Sequence, residues 1–119
     1  MAIETVQGDE YTVAYDDVSQ YISLAGTIRL QTNEEYEPLV QLLRKAYATV
    51  EPGGTVSLDF TQLRFLNSSG INTISRFVIT ARKEDRAHLK IVGSQEVYWQ
   101  QKSLSNLQKL WPDVQIEIQ

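Results

Sequence analysis

Two adjacent hydroxyls, Ser68 and Ser69, followed by Gly70, are the residues of this chain best placed to do chemistry. They lie in the segment from Leu58 to Ile71, where a short apolar run passes through turn-forming residues into a helical pattern. Both hydroxyls therefore fall at a helix N-terminus. Unpaired backbone N–H groups and the positive end of the helix dipole favour negative charge at such a place. A phosphate on Ser68 would meet a site already prepared for it. The same four residues, Asn67 to Gly70, also read as an ordinary helix cap, in which polar side chains satisfy orphan donors. Local physics alone leaves both readings open.

Other chemistries are poorly served. A serine hydrolase needs a base beside the nucleophile, and His88 is the only histidine. A helix of about sixteen residues, roughly 24 Å long, separates it from Ser68. No cysteine is present, so thiolate catalysis, disulfides and cysteine metal sites are excluded. No acidic cluster has the spacing of a loop that binds Mg or Ca. Gly53 and Gly54 lack the lysine and the spacing of a phosphate-binding loop. Trp99 and Trp111, on or just after an amphipathic stretch with Leu104, Leu107 and Leu110, fit core or rim packing better than ligand stacking. Neither catalytic turnover nor a cofactor is expected.

The 119 residues suit one domain, 1–119, with 42% apolar and 22% charged residues. A net charge of -4 repels nucleic acid and anionic lipid alike. No apolar run is long enough to span a membrane, and the first twenty residues lack the pattern of a secretion signal. These features predict a cytosolic protein that does not insert into membranes.

Several elements must position the serines. Alternating apolar residues over 11–15 and 20–28, with a turn at 16–19, predict a hairpin. Tyr36, Leu39, Val40, Leu43, Ala46, Tyr47 and Val50 recur at helical steps, and Thr32 with Glu35 reads as a capping box. Pro38 then falls past the first turn, so the helix either begins later or bends. Residues 55–60 predict a strand, with Leu63, Phe65 and Leu66 in the loop after it. A helix follows over about 69–84, capped by Asn67 or Ser68, with Ile71, Ile74, Phe77, Val78 and Ala81 inward. A strand over 88–92, a helix opened by Ser94 and carrying Val97, Tyr98 and Leu104, and a strand over 114–118 complete the order. Such alternation predicts an α/β fold with a mostly parallel central sheet, an N-terminal hairpin and helices packed on the sheet.

On the helix after Ser68, the row Ser68, Asn72, Ser75, Ile79 and Lys83 lies to one side of the core row and should be largely exposed. Ile79, beside Arg76, is then either a contact point for a partner or a residue tucked under a neighbouring loop.

The stretch from Leu58 to Ile71 resembles the signature of STAS domains, in which a strand ending in Leu-Asp-Leu or similar leads through a hydrophobic loop to Asp-Ser-Ser/Thr-Gly. The predicted order of elements is also that of the family, so the resemblance covers about 10–118. Gly26 matches the glycine that commonly ends the second strand. Leu104 to Leu107 resembles a Leu-Thr-Gly-Leu helix ending, with Asn106 in the place of a glycine that takes the left-handed conformation.

The resemblance implies an anti-sigma-factor antagonist, a stand-alone bacterial binding switch. Ser68 would be phosphorylated by a partner serine kinase that doubles as the anti-sigma factor, and a metal-dependent serine phosphatase would remove the phosphate. Ser69 would be the second hydroxyl and Gly70 would allow close approach. A non-switching regulatory subunit of a transporter, or a signalling scaffold, is the alternative. Two positions depart from the family: Asn67 replaces an aspartate, and Arg29 replaces a residue that is often acidic. With the family's geometry, Arg29 would come near a phosphate on Ser68, and Arg64 is a second candidate to hold it.

Overall fold

A computed structural model describes residues 3–119 of the chain. Its elements are β1 (Ile3–Gln7), β2 (Tyr11–Asp16), β3 (Tyr21–Ile28), α1 (Asn33–Thr49), β4 (Thr55–Leu66), α2 (Ser68–Glu84), β5 (His88–Gly93), α3 (Gln100–Leu110) and β6 (Gln115–Ile118). The six strands form one sheet in chain order, β1-β2-β3-β4-β5-β6. The pairs β1–β2 and β2–β3 are antiparallel, and the pairs from β3 to β6 are parallel. This is the predicted α/β fold, with a mostly parallel sheet behind an N-terminal hairpin.

Successive β-α-β crossovers share one hand, so three helices carried across the sheet in one direction land on the same face. α2 packs between α1 and α3 accordingly. The strands show it in their alternation: Val13, Tyr15, Ile22, Leu24, Val56, Leu58, Phe60, Leu89 and Ile91 are buried under the helices. Thr12, Ala14, Ser23, Ala25, Ser57 and Asp59 line the opposite face and are only half-buried or exposed. From α2, Ile74, Phe77, Val78 and Ala81 enter the core. Burying each of the larger three contributes about 1.5–3 kcal/mol. Tyr47 meets Phe77 edge-on at 6.2 Å, which ties α1 to α2.

Four expectations change. β1 is an additional edge strand, paired in register from Ile3 with Asp16 to Gln7 with Thr12. Residues 61–66 are not a loop, because β4 continues to Leu66 beside β3. In that continuation Ser23 pairs with Asp59 but Ala25 with Gln62, and Gly26 pairs with Leu63 but Thr27 with Phe65. Each shift inserts one extra residue into β4, a β-bulge. Buried Phe60, Leu63 and Leu66 thus recur every third residue and still face one core.

α3 begins at Gln100 rather than at Ser94. The Ser94 hydroxyl accepts a bond from the Glu96 amide, a local turn that competes with helix, and Val97 and Tyr98 lie in that turn segment. Asn106 lies inside α3, which runs on to Leu110, and its backbone is not left-handed. Trp111, in extended conformation before Pro112, ends the helix instead. α1 keeps its capping box and runs through Pro38. The carbonyl of Glu34 loses its amide partner there, but both residues are exposed and water can replace it.

Candidate functional site

Ser68 is the first residue of α2 and is exposed, directly after the bulged end of β4. Asn67 is the N-cap. Its Oδ1 accepts bonds from the Gly70 amide at 2.9 Å and the Tyr36 hydroxyl at 2.6 Å, while its Nδ2 donates to the Leu30 carbonyl at 2.8 Å. Its backbone amide donates to the Ile28 carbonyl at 3.1 Å. One side chain therefore joins the start of α2 to α1 and to the segment leaving β3. A carboxylate at this position could accept from Gly70 and Tyr36 but would oppose the Leu30 carbonyl, which gives a physical reason for asparagine. Burial raises the pKa of the Tyr36 phenol above its ordinary 10.0.

Ser69 is half-buried, and its carbonyl accepts a bond from the Thr73 hydroxyl. Gly70 is buried. A Cβ on it would lie 2.2 Å from Leu66 Cδ1 and 2.9 Å from the Tyr36 hydroxyl, so the glycine admits these two neighbours from within the chain. No acidic residue occupies the first turn of α2. The dipole end beside Ser68 thus meets only a neutral cap.

The bulges of β4 require their own support, and side chains provide it. Asp59 accepts bonds from the Thr61 amide and hydroxyl and from the Tyr21 hydroxyl. Gln100, fully buried, donates to the carbonyls of Phe60 and Leu63 at 2.5 and 2.8 Å and accepts from the Ser94 amide at 2.8 Å. The Trp99 indole donates to the Arg64 carbonyl at 2.9 Å. Sequence reasoning missed Gln100 as a supporting residue. Its signal is positional, four residues before Leu104 on the same inward row as Leu107 and Trp111.

Among the other candidates, Asn72, Arg64, Arg76 and Ile79 are exposed, and Ser75 is half-buried with its hydroxyl bonded back to the Ile71 carbonyl. Arg76 reaches Asn33 at 3.4 Å. Ile79 is 38% exposed and so is not covered by a loop. Ile79→Asp is expected to change stability by no more than about 0.5 kcal/mol, as for other surface substitutions, in chemical denaturation. A loss of several kcal/mol would place Ile79 in the core. His88 starts β5 opposite Thr55, at the far end of β4 from Ser68, so the two cannot pair.

Arg29 follows β3 directly, and the Ile28–Leu66 pairing sets it beside the chain entering α2. Its guanidinium grips the Glu10 carboxylate through two bonds, at 2.8 and 2.6 Å. Arg29 must leave Glu10, or share it, to serve a phosphate. Helix end and guanidinium both favour the doubly charged phosphate. The second pKa of a phosphate on Ser68 is therefore expected to fall below about 6, the ordinary value. Glu10→Gln should lower it further by freeing Arg29, and Arg29→Ala should raise it. Phosphorus NMR titration of the phosphoprotein measures all three, and values unchanged by both substitutions would remove Arg29 from the site.

These features define a STAS-like fold, with a serine where β4 gives way to α2. No protein-family model matches the sequence, and no curated protein matches it. Among solved structures, SiaC of Pseudomonas aeruginosa superposes with a TM-score of 0.68 at 16% identity, covering 100% of this chain and 98% of that one. A chain of the complex between the diguanylate cyclase SiaD and its activator SiaC, from the same organism, gives 0.72 at 13% identity, over 98% and 99% of the two chains. An anti-sigma factor antagonist from Mycobacterium paratuberculosis gives 0.56 at 19% identity, over 96% and 86%. No helix among the described residues is long and apolar enough to cross a membrane.

Proposed function

We propose that this chain is a cytosolic signalling module that binds a partner protein through the surface around Ser68 and is switched by phosphorylation of that serine. The observation carrying this reading is the exposed Ser68 hydroxyl at the first position of α2, beside a neutral cap. The fold shared with an anti-sigma factor antagonist supports it. A serine kinase of the anti-sigma type would add the phosphate and a metal-dependent phosphatase would remove it. About -1.5 to -2 units of charge arriving in an interface suffice to break it. The module itself performs no reaction.

A second reading is favoured by the superposition on SiaC, named as the activator of a diguanylate cyclase, over nearly the whole of both chains. The partner would then be an enzyme that this chain activates, with a diguanylate cyclase as the first candidate. A subunit bound permanently to its partner, in a transporter or a scaffold, would have no use for the serine.

Affinity purification of wild type, Ser68→Ala and Ser68→Asp from the native cell, with mass spectrometry, tests these readings together. A partner held by Ser68→Ala and lost by Ser68→Asp is expected, with Ser68 the dominant phosphopeptide. Retention by all three forms, or phosphate confined to Ser69 or Thr73, would reject the switch. The identity of the retained protein separates a kinase from a cyclase.

A further inference from the structure

The charges of this acidic chain are unevenly placed. Residues 60–83, the bulged half of β4 and nearly all of α2, hold four basic residues, Arg64, Arg76, Arg82 and Lys83, and no acidic residue. The remainder holds seven basic residues against fifteen acidic ones. All four cations are exposed, and the ion pairs recorded among the described residues are Arg29–Glu10, Lys45–Glu4 and Lys90–Glu117. The segment 60–83 thus carries +4 while the other residues sum to -8, the acidic remainder beginning with the exposed Glu84 and Asp85 at the end of α2, and none of the ion pairs shown involves these four cations.

Apolar side chains accompany this charge. Ile79 lies on the exposed row of α2, and Phe65 is 45% exposed at the end of β4. Tyr98 is 98% exposed in the turn that Trp99 fastens to the Arg64 carbonyl. Exposed aromatics beside arginines are the composition from which binding hot spots are made.

We infer that the α2 side of the molecule, from Arg64 and Phe65 along to Lys83, docks an acidic surface of its protein partner, the attraction being electrostatic and the apolar contacts giving the complex its grip. This rests on the partner-binding reading above and adds the partner's charge to it. A phosphate on Ser68 would cancel up to half of the +4, so the modification acts on the long-range field as well as on the contact. An anionic membrane is the weaker match, because the apolar residues are scattered singly and the rest of the molecule is strongly negative.

The test uses the full unphosphorylated chain and two synthetic amphipathic helical peptides with one leucine face, the opposite face being all glutamate in one and all lysine in the other. Amide NMR titration should show the glutamate peptide, and not the lysine peptide, perturbing α2 and the end of β4. Its Kd should rise about tenfold between 50 and 300 mM NaCl, and by a similar factor in Arg76→Glu/Lys83→Glu, whose unchanged melting temperature shows that it is folded. Equal binding of both peptides, binding of neither, perturbation elsewhere, or co-sedimentation with vesicles of 30% phosphatidylglycerol would each overturn the proposal. Binding of the glutamate peptide unaffected by a phosphate on Ser68 would leave the acidic docking surface standing and reject the switch. Salt-insensitive capture of a partner by Ser68→Ala, lost in Ser68→Asp, would do the opposite.

Discussion

Replacing Gln100 by leucine is expected to lower the unfolding free energy by about 3–5 kcal/mol, although the residue is fully buried and presents no side-chain atom to a partner. Its side-chain amide serves three backbone groups at once: the carbonyls of Phe60 and Leu63 and the amide of Ser94. Leucine fills much the same volume but offers no donor or acceptor. Each buried group left without a partner costs about 1–3 kcal/mol, with some relief from local adjustment. Gln100→Glu should not rescue, because a carboxylate would face two carbonyl oxygens. Urea denaturation with an unchanged m-value measures the loss. A loss below about 1 kcal/mol would mean that water replaces the amide, and that the bulges of β4 do not depend on α3.

Gly26→Ala is expected to be comparably severe, at about 3–4 kcal/mol. Gly26 has φ +94°, which an L-residue rarely adopts, and an added Cβ would lie 2.2 Å from the Glu10 carbonyl oxygen. That oxygen cannot retreat cheaply, since it also accepts the Thr27 amide at 2.9 Å. Gly53→Ala supplies the comparison: φ is +82° but nothing lies within 4 Å of the new Cβ, so only conformational strain of about 1 kcal/mol applies. The gap between the two melting temperatures isolates the collision from the strain. Equal effects would show that the turn beneath Gly26 yields.

Where a physical rule acts locally, the sequence was enough to read it. The alternation of β2 and β3, the Thr32–Glu35 capping box and the inward row of α2 all follow from period and capping chemistry. The start of α2 beside Ser68 was legible for the same reason. β1 was not, because an edge strand with one face toward solvent buries little, and Val6 is its one apolar residue packed against the core. The far half of β4 was not, because its every-third-residue burial matches neither strand nor helix until the two bulges are known. Gln100 was hidden by its own polarity, since a buried amide is read as a surface residue unless the carbonyls it serves are seen. Arg29 was expected beside a phosphate, and its engagement with Glu10 depends on the β1–β2 turn, which no local pattern announces.

The strand order has a consequence for how the molecule is made. Because spatial order repeats chain order, no strand has to be inserted between two that are already paired. Each new pairing joins a strand to the one synthesised just before it, and the longest closure is the α1 crossover over residues 29–54. Closure entropy grows only slowly with loop length, so the successive steps cost similar amounts. The sheet can therefore be extended strand by strand while the ribosome is still working, from the antiparallel hairpin onward. β6 arrives last and covers the six-residue β5, so that the edge left on this side of the sheet is a strand of only four residues, which offers neighbouring chains a shorter template.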